Sequence, residues 1–176
     1  MRNTLLYLTG HGLGLVSQSP RRAEILRAAG IPFQVIRSRE TEETSDVVDI
    51  PARAIDIAAK KCAGAITKDD TPAILVGADT MVVRDGNVLG KPRDEDDARR
   101  MLHSLSGREH DVMTGLAVRH RSGDFRATAC EITRVTFRQL DAGEIDDYIA
   151  TGEPWDKAGA YGIQGRGGLF VEGVQG

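Results

Sequence analysis

Apolar positions along this chain fall into short blocks whose spacing switches between strand-like alternation and helical periodicity. Leu13–Ser17 (LGLVS) predicts a short buried strand. It runs into Ser19-Pro20-Arg21-Arg22, with Ser19 in a favourable N-cap position and Pro20 at the first helical residue. Ile25, Leu26 and Ala29 share a stripe with Arg22, and Gly30 supplies the stop. Ile31–Ile36 predicts a second strand, so the chain opens as β-α-β. Residues 37–49 are polar and acidic and predict a loop. From Pro51 to Ile66 the positions Ile55, Ala58, Ala59, Cys62 and Ile66 predict an amphipathic helix, with Lys60 and Lys61 flanking its stripe.

The next block, ILVGADTMVVRDGNVLGKP (74–92), breaks the pattern. An apolar run opens it, yet Asp79 and Thr80 then occupy strand positions before apolar residues resume at Met81–Val83. Asp85-Gly86 predicts a tight hairpin turn, and the return strand delivers Lys91 just before Pro92. A charge placed in a buried strand needs a partner, because an unpaired charge in a core is costly. An acid and a lysine on adjacent strands suit a polyanion bound with a metal. Taken alone, Asp79 reads better as a satisfied structural carboxylate than as a catalyst.

Downstream, Asp94 caps a helix whose first turn holds Glu95, Asp96 and Asp97, where the helix dipole favours acids. Ala98, Met101, Leu102 and Leu105 form its buried face, and Gly107 ends it. Residues His110–Val118 and Phe125–Phe137 predict two long strands, the second buried on both sides. Leu140, Asp141, Glu144 and Ile145 predict a staple and capping box opening a further helix that ends at Gly152. The last stretch, GEPWDKAGAYGIQGRGGLFVEGVQG, sets Glu153, Asp156, Lys157 and Gln164 among glycines and aromatics. It predicts a loop that wraps a ligand or, equally, an irregular connection.

Composition narrows the class without deciding it. At 176 residues the chain forms one domain, or two small lobes sharing a core, and its 40% hydrophobic content suffices to bury that core. A formal net charge of −3 argues against a nucleic-acid polymer as partner, so any anion site must be a local cluster of Arg and Lys. Cys62 and Cys130 form no metal-ligand spacing and no disulfide framework, which makes a reducing cytoplasm the default location. No apolar run reaches membrane-spanning length. Residues 1–12 read as a leader.

Candidate chemistry gathers at three places. Arg21 and Arg22 stand in the first turn of a helix, where cations are repelled by the positive dipole end unless an anion is bound there. Solvated arginines on a surface helix are the even alternative. Lys61 can reach over the edge of its helix to a site, although most such lysines simply extend to solvent. Gln164 carries an amide that offers a donor and an acceptor to the edge of a planar base.

These residues lie in motifs that resemble the Maf family of nucleoside triphosphate pyrophosphatases, named for inhibition of septum formation. SxSPRRxEIL appears as Ser17–Leu26 and is followed by GIPF at 30–33; KxxGxI begins at Lys61, with Cys62 where the family usually has alanine. GADTMV is 77–82, LGKP is 89–92, LSGREHDVMTG is 105–115 and GEPWDKAGAYGIQG is 152–165. Several long motifs in order over most of the chain make the likeness specific.

The pattern of elements predicts an α/β fold with a long twisted mixed sheet and flanking helices, and the resemblance adds two lobes around a central cleft and a single domain over 13–176. The resemblance implies hydrolysis of a nucleoside triphosphate between the α- and β-phosphates with Mg²⁺ or Mn²⁺. Carried over position by position, Arg21, Arg22, Lys61 and Lys91 hold phosphates. Asp79 is the general base or a metal-linked carboxylate, and Glu42 is its acidic partner at the metal. Arg21, Thr80 and Gln164 match the subgroup preferring dTTP and UTP. Its sister subgroup acts on 7-methylguanosine triphosphate, and a non-catalytic nucleotide-binding regulator of septum formation is the other alternative. A homodimer and a longer C-terminal segment, which in the family continues past the position of Gly176, are further family-level expectations.

Overall fold

The computed structural model describes residues 12–40, 45–123 and 126–176. The expected leader therefore lies outside the described residues except for Gly12. In chain order the elements are β1 (Leu13–Val16), α1 (Pro20–Ala28), β2 (Phe33–Val35), α2 (Ile50–Ala63), β3 (Ile74–Arg84) and β4 (Asn87–Leu89). There follow α3 (Glu95–Leu105), β5 (Glu109–His120), β6 (Arg126–Phe137), α4 (Ala142–Ala150), three 3-10 turns within 153–170, and β7 (Val171–Gln175). The strands form one mixed sheet in the order β2-β1-β3-β5-β6-β7, with β4 paired to β3. The chain opens as β-α-β, as expected; β1 runs parallel to both β2 and β3, while β3–β4 and β6–β7 are antiparallel. This is the expected α/β class.

The chain divides into two compact units. One holds the described residues up to Asp79 together with Gly115–Cys130; the other holds Thr80–Thr114 and Glu131–Gly176. β3 thus passes from one unit to the other at the Asp79–Thr80 peptide bond.

In the first unit, Val16, Ile36, Ala58, Cys62, Leu75 and Ala117 form one apolar cluster, and Leu13, Leu15 and Ala23 form another. α1 buries only Ala23, and Ile25 is exposed, so the stripe expected through Arg22, Ile25, Leu26 and Ala29 is not its packed face. Ser19 holds the N-cap position, but its side chain makes no capping bond. α2 starts one residue before Pro51, capped by Asp49, and ends at Gly64, short of Ile66. Its buried residues are Ala54, Ile57, Ala58 and Cys62 rather than a stripe begun at Ile55.

In the second unit, α3 and α4 pack Ala98, Met101, Leu102, Leu105, Ile145, Tyr148 and Ile149 against Val135 and Phe137. Asp94 caps α3, and Asp141 with Glu144 completes a capping box at α4, both as expected. The acidic first turn of α3 is structural: Asp97 accepts from Arg93 and Arg100, which hold its carboxyl down at about 2. β6 departs from expectation. Only Val135 and Phe137 are buried along it and Ile132 is 45% exposed, so this strand is not covered on both faces.

His110, on β5, sits in an aromatic nest of Phe137 and Tyr161 at 3% exposure. Its Nε2 is 2.7 Å from the Tyr161 hydroxyl, and its Nδ1 is buried without a hydrogen-bond partner. Burial lowers its pKa to about 4, outweighing the upward pull of Asp111 and reinforced by Arg84. The folded state therefore prefers neutral imidazole, and the unfolded chain takes up the proton first as pH falls. Stability is full above the ordinary histidine value and declines between about 6.5 and about 4. The slope from this one group is about 1.4 kcal/mol per pH unit, about 3 kcal/mol in all. Urea unfolding of wild type and His110→Gln at pH 7.5 and pH 4.5 checks it: the variant should lose less stability on acidification than wild type.

Candidate active site

Two glycines explain how a lysine from α2 meets a carboxylate on β3. A side chain at Gly77 on β3 would lie 2.7 Å from Ala58 O, and one at Gly115 on β5 would lie 2.2 Å from Ala54 O. Their absence lets α2 lie close on these strands through its small residues, Ala54 and Ala58. Lys61 follows Ile57 by one helical turn, on the packed side, and Asp79 follows Gly77 on the same face of β3. The two side chains meet there: Lys61 Nζ donates to Asp79 Oδ1 at 2.7 Å, with side-chain exposures of 13% and 7%. Lys60, by contrast, points outward and pairs with Asp56 at 2.9 Å. The expectation that Asp79 is buried within a strand and needs a partner holds, and Lys61 supplies one.

The chain on either side of 41–44 is tied to α2. Ser38 Oγ donates to Lys61 O at 2.9 Å, and Ser45 Oγ donates to Asp56 at 2.5 Å. Glu42, the expected acidic partner of Asp79, lies outside the described residues.

Just past β1, Ser17 braces the entry to α1 rather than capping it. Its hydroxyl accepts from Ser19 N–H at 3.2 Å and from Arg22 Nη1 at 2.9 Å. The first turn of α1 has no acidic residue to offset Arg21 and Arg22. This turn is a concentration of cationic charge at a helix N-terminus.

The remaining candidates belong to the second unit. Strand alternation sends Thr80 to the opposite face of β3 from Asp79; it is exposed, and its hydroxyl lies 3.3 Å from that of Thr114 on β5. The turn Asp85-Gly86 has positive φ at both residues, 49° and 75°, as the Asp-Gly signal predicts. Lys91 is exposed just past β4. Next to it, Gly90 O accepts from Gly159 N–H at 3.0 Å, tying the exit of the hairpin to the start of the glycine-rich segment. Gln164 is exposed in a turn closed by Gly165 N–H to Gly162 O at 3.1 Å.

The structure thus brings Lys61 to Asp79, Arg22 to Ser17 and Thr80 to Thr114. Neither Ser17, at the end of the predicted strand, nor Thr114, within a motif, is marked as a partner by the sequence, since a hydroxyl that orients a neighbour leaves no periodic trace. Cys62 is no nucleophile: it is buried, and burial pushes its thiol up to about 11. Among the described residues no group of three or more His, Cys, Asp and Glu stands together to hold a metal. No helix among them is long and apolar enough to cross a membrane.

Sequence comparison bears on what this arrangement serves. The family described as Maf-like protein matches residues 12–176. The chain belongs to the Maf family. Among its Maf relatives, the dTTP/UTP pyrophosphatase of Bacillus cytotoxicus is 47% identical over 162 residues, covering 92% of this chain and 83% of that protein. The dTTP/UTP pyrophosphatase of Bacillus velezensis is 46% identical over the same length, covering 92% of this chain and 84% of its own. That of Bacillus cereus is 44% identical, with 92% and 83% covered.

Proposed function

We propose that this Maf protein hydrolyses dTTP and UTP to the monophosphate and pyrophosphate. The observation that carries the reading is the buried Lys61–Asp79 pair, a carboxylate with a cation at 2.7 Å, in a chain similar at 44–47% identity to dTTP/UTP pyrophosphatases. A cation beside a carboxylate favours its charged form, the state needed to orient or deprotonate water. Lys61 brings a positive charge to Asp79, and an ammonium is also a suitable partner for a phosphate oxygen. Arg21, Arg22 and Lys91 supply further charge for a triphosphate.

In the proposed step, water attacks phosphorus, a new P–O bond forms, and the bridging bond between the α- and β-phosphates breaks. Asp79 takes or orients the proton of the water, and pyrophosphate leaves with the bridging oxygen. The cations offset the charge that grows on it.

A divalent ion fits this reading as a passenger of the substrate rather than as a resident of a protein cage. Magnesium binds through few carboxylates, keeps waters and takes phosphate oxygens, so Asp79 with Glu42 would be its protein ligands. When bound, it would neutralise phosphate charge and polarise the reacting phosphoryl group.

Single turnover of dTTP in ¹⁸O-water tests the cleavage site. Label in thymidine monophosphate places the attack at the α-phosphorus, whereas thymidine diphosphate and inorganic phosphate as products would refute the reaction.

Thr80 and Gln164 are proposed to read the base. Gln164→Ala is expected to lower the dTTP-over-GTP ratio of kcat/KM by about tenfold, the value of one or two hydrogen bonds to a base edge. An unaltered ratio would contradict that role.

A further inference from the structure

We infer that Glu153 is the anchor that positions Gln164, and so a specificity-determining residue for the nucleotide base; this rests on the base-reading role proposed for Gln164. Glu153 begins the 3-10 turn Glu153–Asp156, directly after α4 and Gly152. Its carboxylate reaches into the glycine-rich loop and gathers three donors. Oε2 accepts from Arg166 N–H at 2.9 Å, and Oε1 accepts from Gly167 N–H at 3.2 Å and from the Tyr148 hydroxyl at 3.0 Å. Two of these donors are backbone groups immediately beyond the turn that presents Gln164, and the third comes from α4. One carboxylate therefore ties the exposed loop to a packed helix.

The glycines of the loop record the same contact from the other side. A side chain at Gly165, next to Gln164, would come within 2.3 Å of Glu153 Oε1, so the carboxylate occupies the space a larger residue would need. The main chain of Glu153 is held too: Lys157 Nζ donates to its carbonyl at 2.6 Å and to Asp156 at 2.7 Å. Burial works against ionisation of Glu153, but the N–H groups of Arg166 and Gly167 and the Tyr148 hydroxyl bring its pKa below the ordinary value. Gln164 makes no part of this network, which leaves its amide available to a ligand while its backbone is fixed. Discrimination by a single amide requires that it be placed within a fraction of an ångström.

The test compares Gln164→Ala, Glu153→Gln, Gly165→Ala, Glu153→Ala and the double variant Glu153→Ala/Gly165→Ala. Steady-state kinetics on dTTP and GTP are run below the melting temperature of every variant. Glutamine at position 153 sets an amide NH₂ against a backbone N–H, donor against donor, without changing size. Glu153→Gln is expected to raise KM for dTTP by about tenfold with kcat changed less, and to shrink the dTTP-over-GTP preference by about fivefold. Gly165→Ala should reproduce that pattern by displacing the carboxylate, and should add nothing when Glu153 is already alanine. A merely structural role would move the melting temperature and leave the preference alone. If Gln164→Ala shifts the preference while folded Glu153→Gln or folded Gly165→Ala keeps it, the anchoring role is overturned and base reading stands. If Gln164→Ala itself leaves the preference unchanged, base reading falls and the proposal falls with it.

Discussion

Replacing Asp79 by asparagine is expected to lower kcat for dTTP by about a thousandfold, the span typical of losing a positioned acid–base group. Asparagine keeps the shape of the side chain but can neither hold a proton taken from water nor bring charge to a metal. Nucleotide binding should survive, and even tighten, because the variant removes a negative charge from the neighbourhood of a polyanion. Pyrophosphate release gives the rate, and calorimetric titration with dTTP gives the affinity. The two readouts separate a chemical role from a structural one. Near-wild-type turnover would refute the role given to Asp79, and loss of binding would recast it as a structural group.

The second large effect concerns stability. Lys61→Met strips a buried carboxylate of a cation 2.7 Å away while preserving the length of the side chain. Removing one member of a buried pair is expected to cost about 3 kcal/mol, mostly the penalty of leaving the remaining charge poorly compensated in a dry site. Lys61→Met/Asp79→Asn should recover much of that loss, since the double variant holds no buried charge at this pair. Urea unfolding of the two single variants and the double variant at pH 7.5 gives the coupling. Simple additivity would show that the pair is not the interaction that stabilises this part of α2 against β3. The two experiments are linked: a buried pair in which Asp79 is the proposed base should be intolerant of losing either partner alone.

What the sequence made legible was local chemistry. The Asp85-Gly86 turn, the Asp94 cap and the Asp141–Glu144 box each depend on residues within a few positions of one another, and each stands where expected. The buried placement of Asp79 was also readable, since a carboxylate inside an apolar run must find a partner. The face of α2 was not. Stripes begun at Ile55 and at Ala54 share Ala58 and Cys62, and hydrophobicity alone favours the isoleucine. What selects Ala54 is the pair of glycines, Gly77 and Gly115, across the interface, and that is a fact about distance rather than about periodicity.

β6 misled for the opposite reason. Its alternating apolar residues fit a strand covered on both faces, but Ile132 is 45% exposed and Cys130 only half-buried. Glu153 was hidden because its partners are backbone N–H groups at Arg166 and Gly167, far along the chain. Its trace in the sequence is Gly165 and Gly167, which read only as loop glycines until the carboxylate beside them is seen. Ser19 holds the N-cap position of α1 as expected but makes no side-chain capping bond, while Ser17 accepts from Ser19 N–H and from Arg22.

The central claim is that this chain turns over pyrimidine nucleoside triphosphates at the α–β bond. It is tested most directly by measuring pyrophosphate release from dTTP, UTP, GTP and 7-methylguanosine triphosphate with purified protein and Mg²⁺ or Mn²⁺. The account predicts pyrophosphate from dTTP and UTP with the highest kcat/KM of the set. Nucleotide binding without pyrophosphate, or a preference for 7-methylguanosine triphosphate, would contradict it.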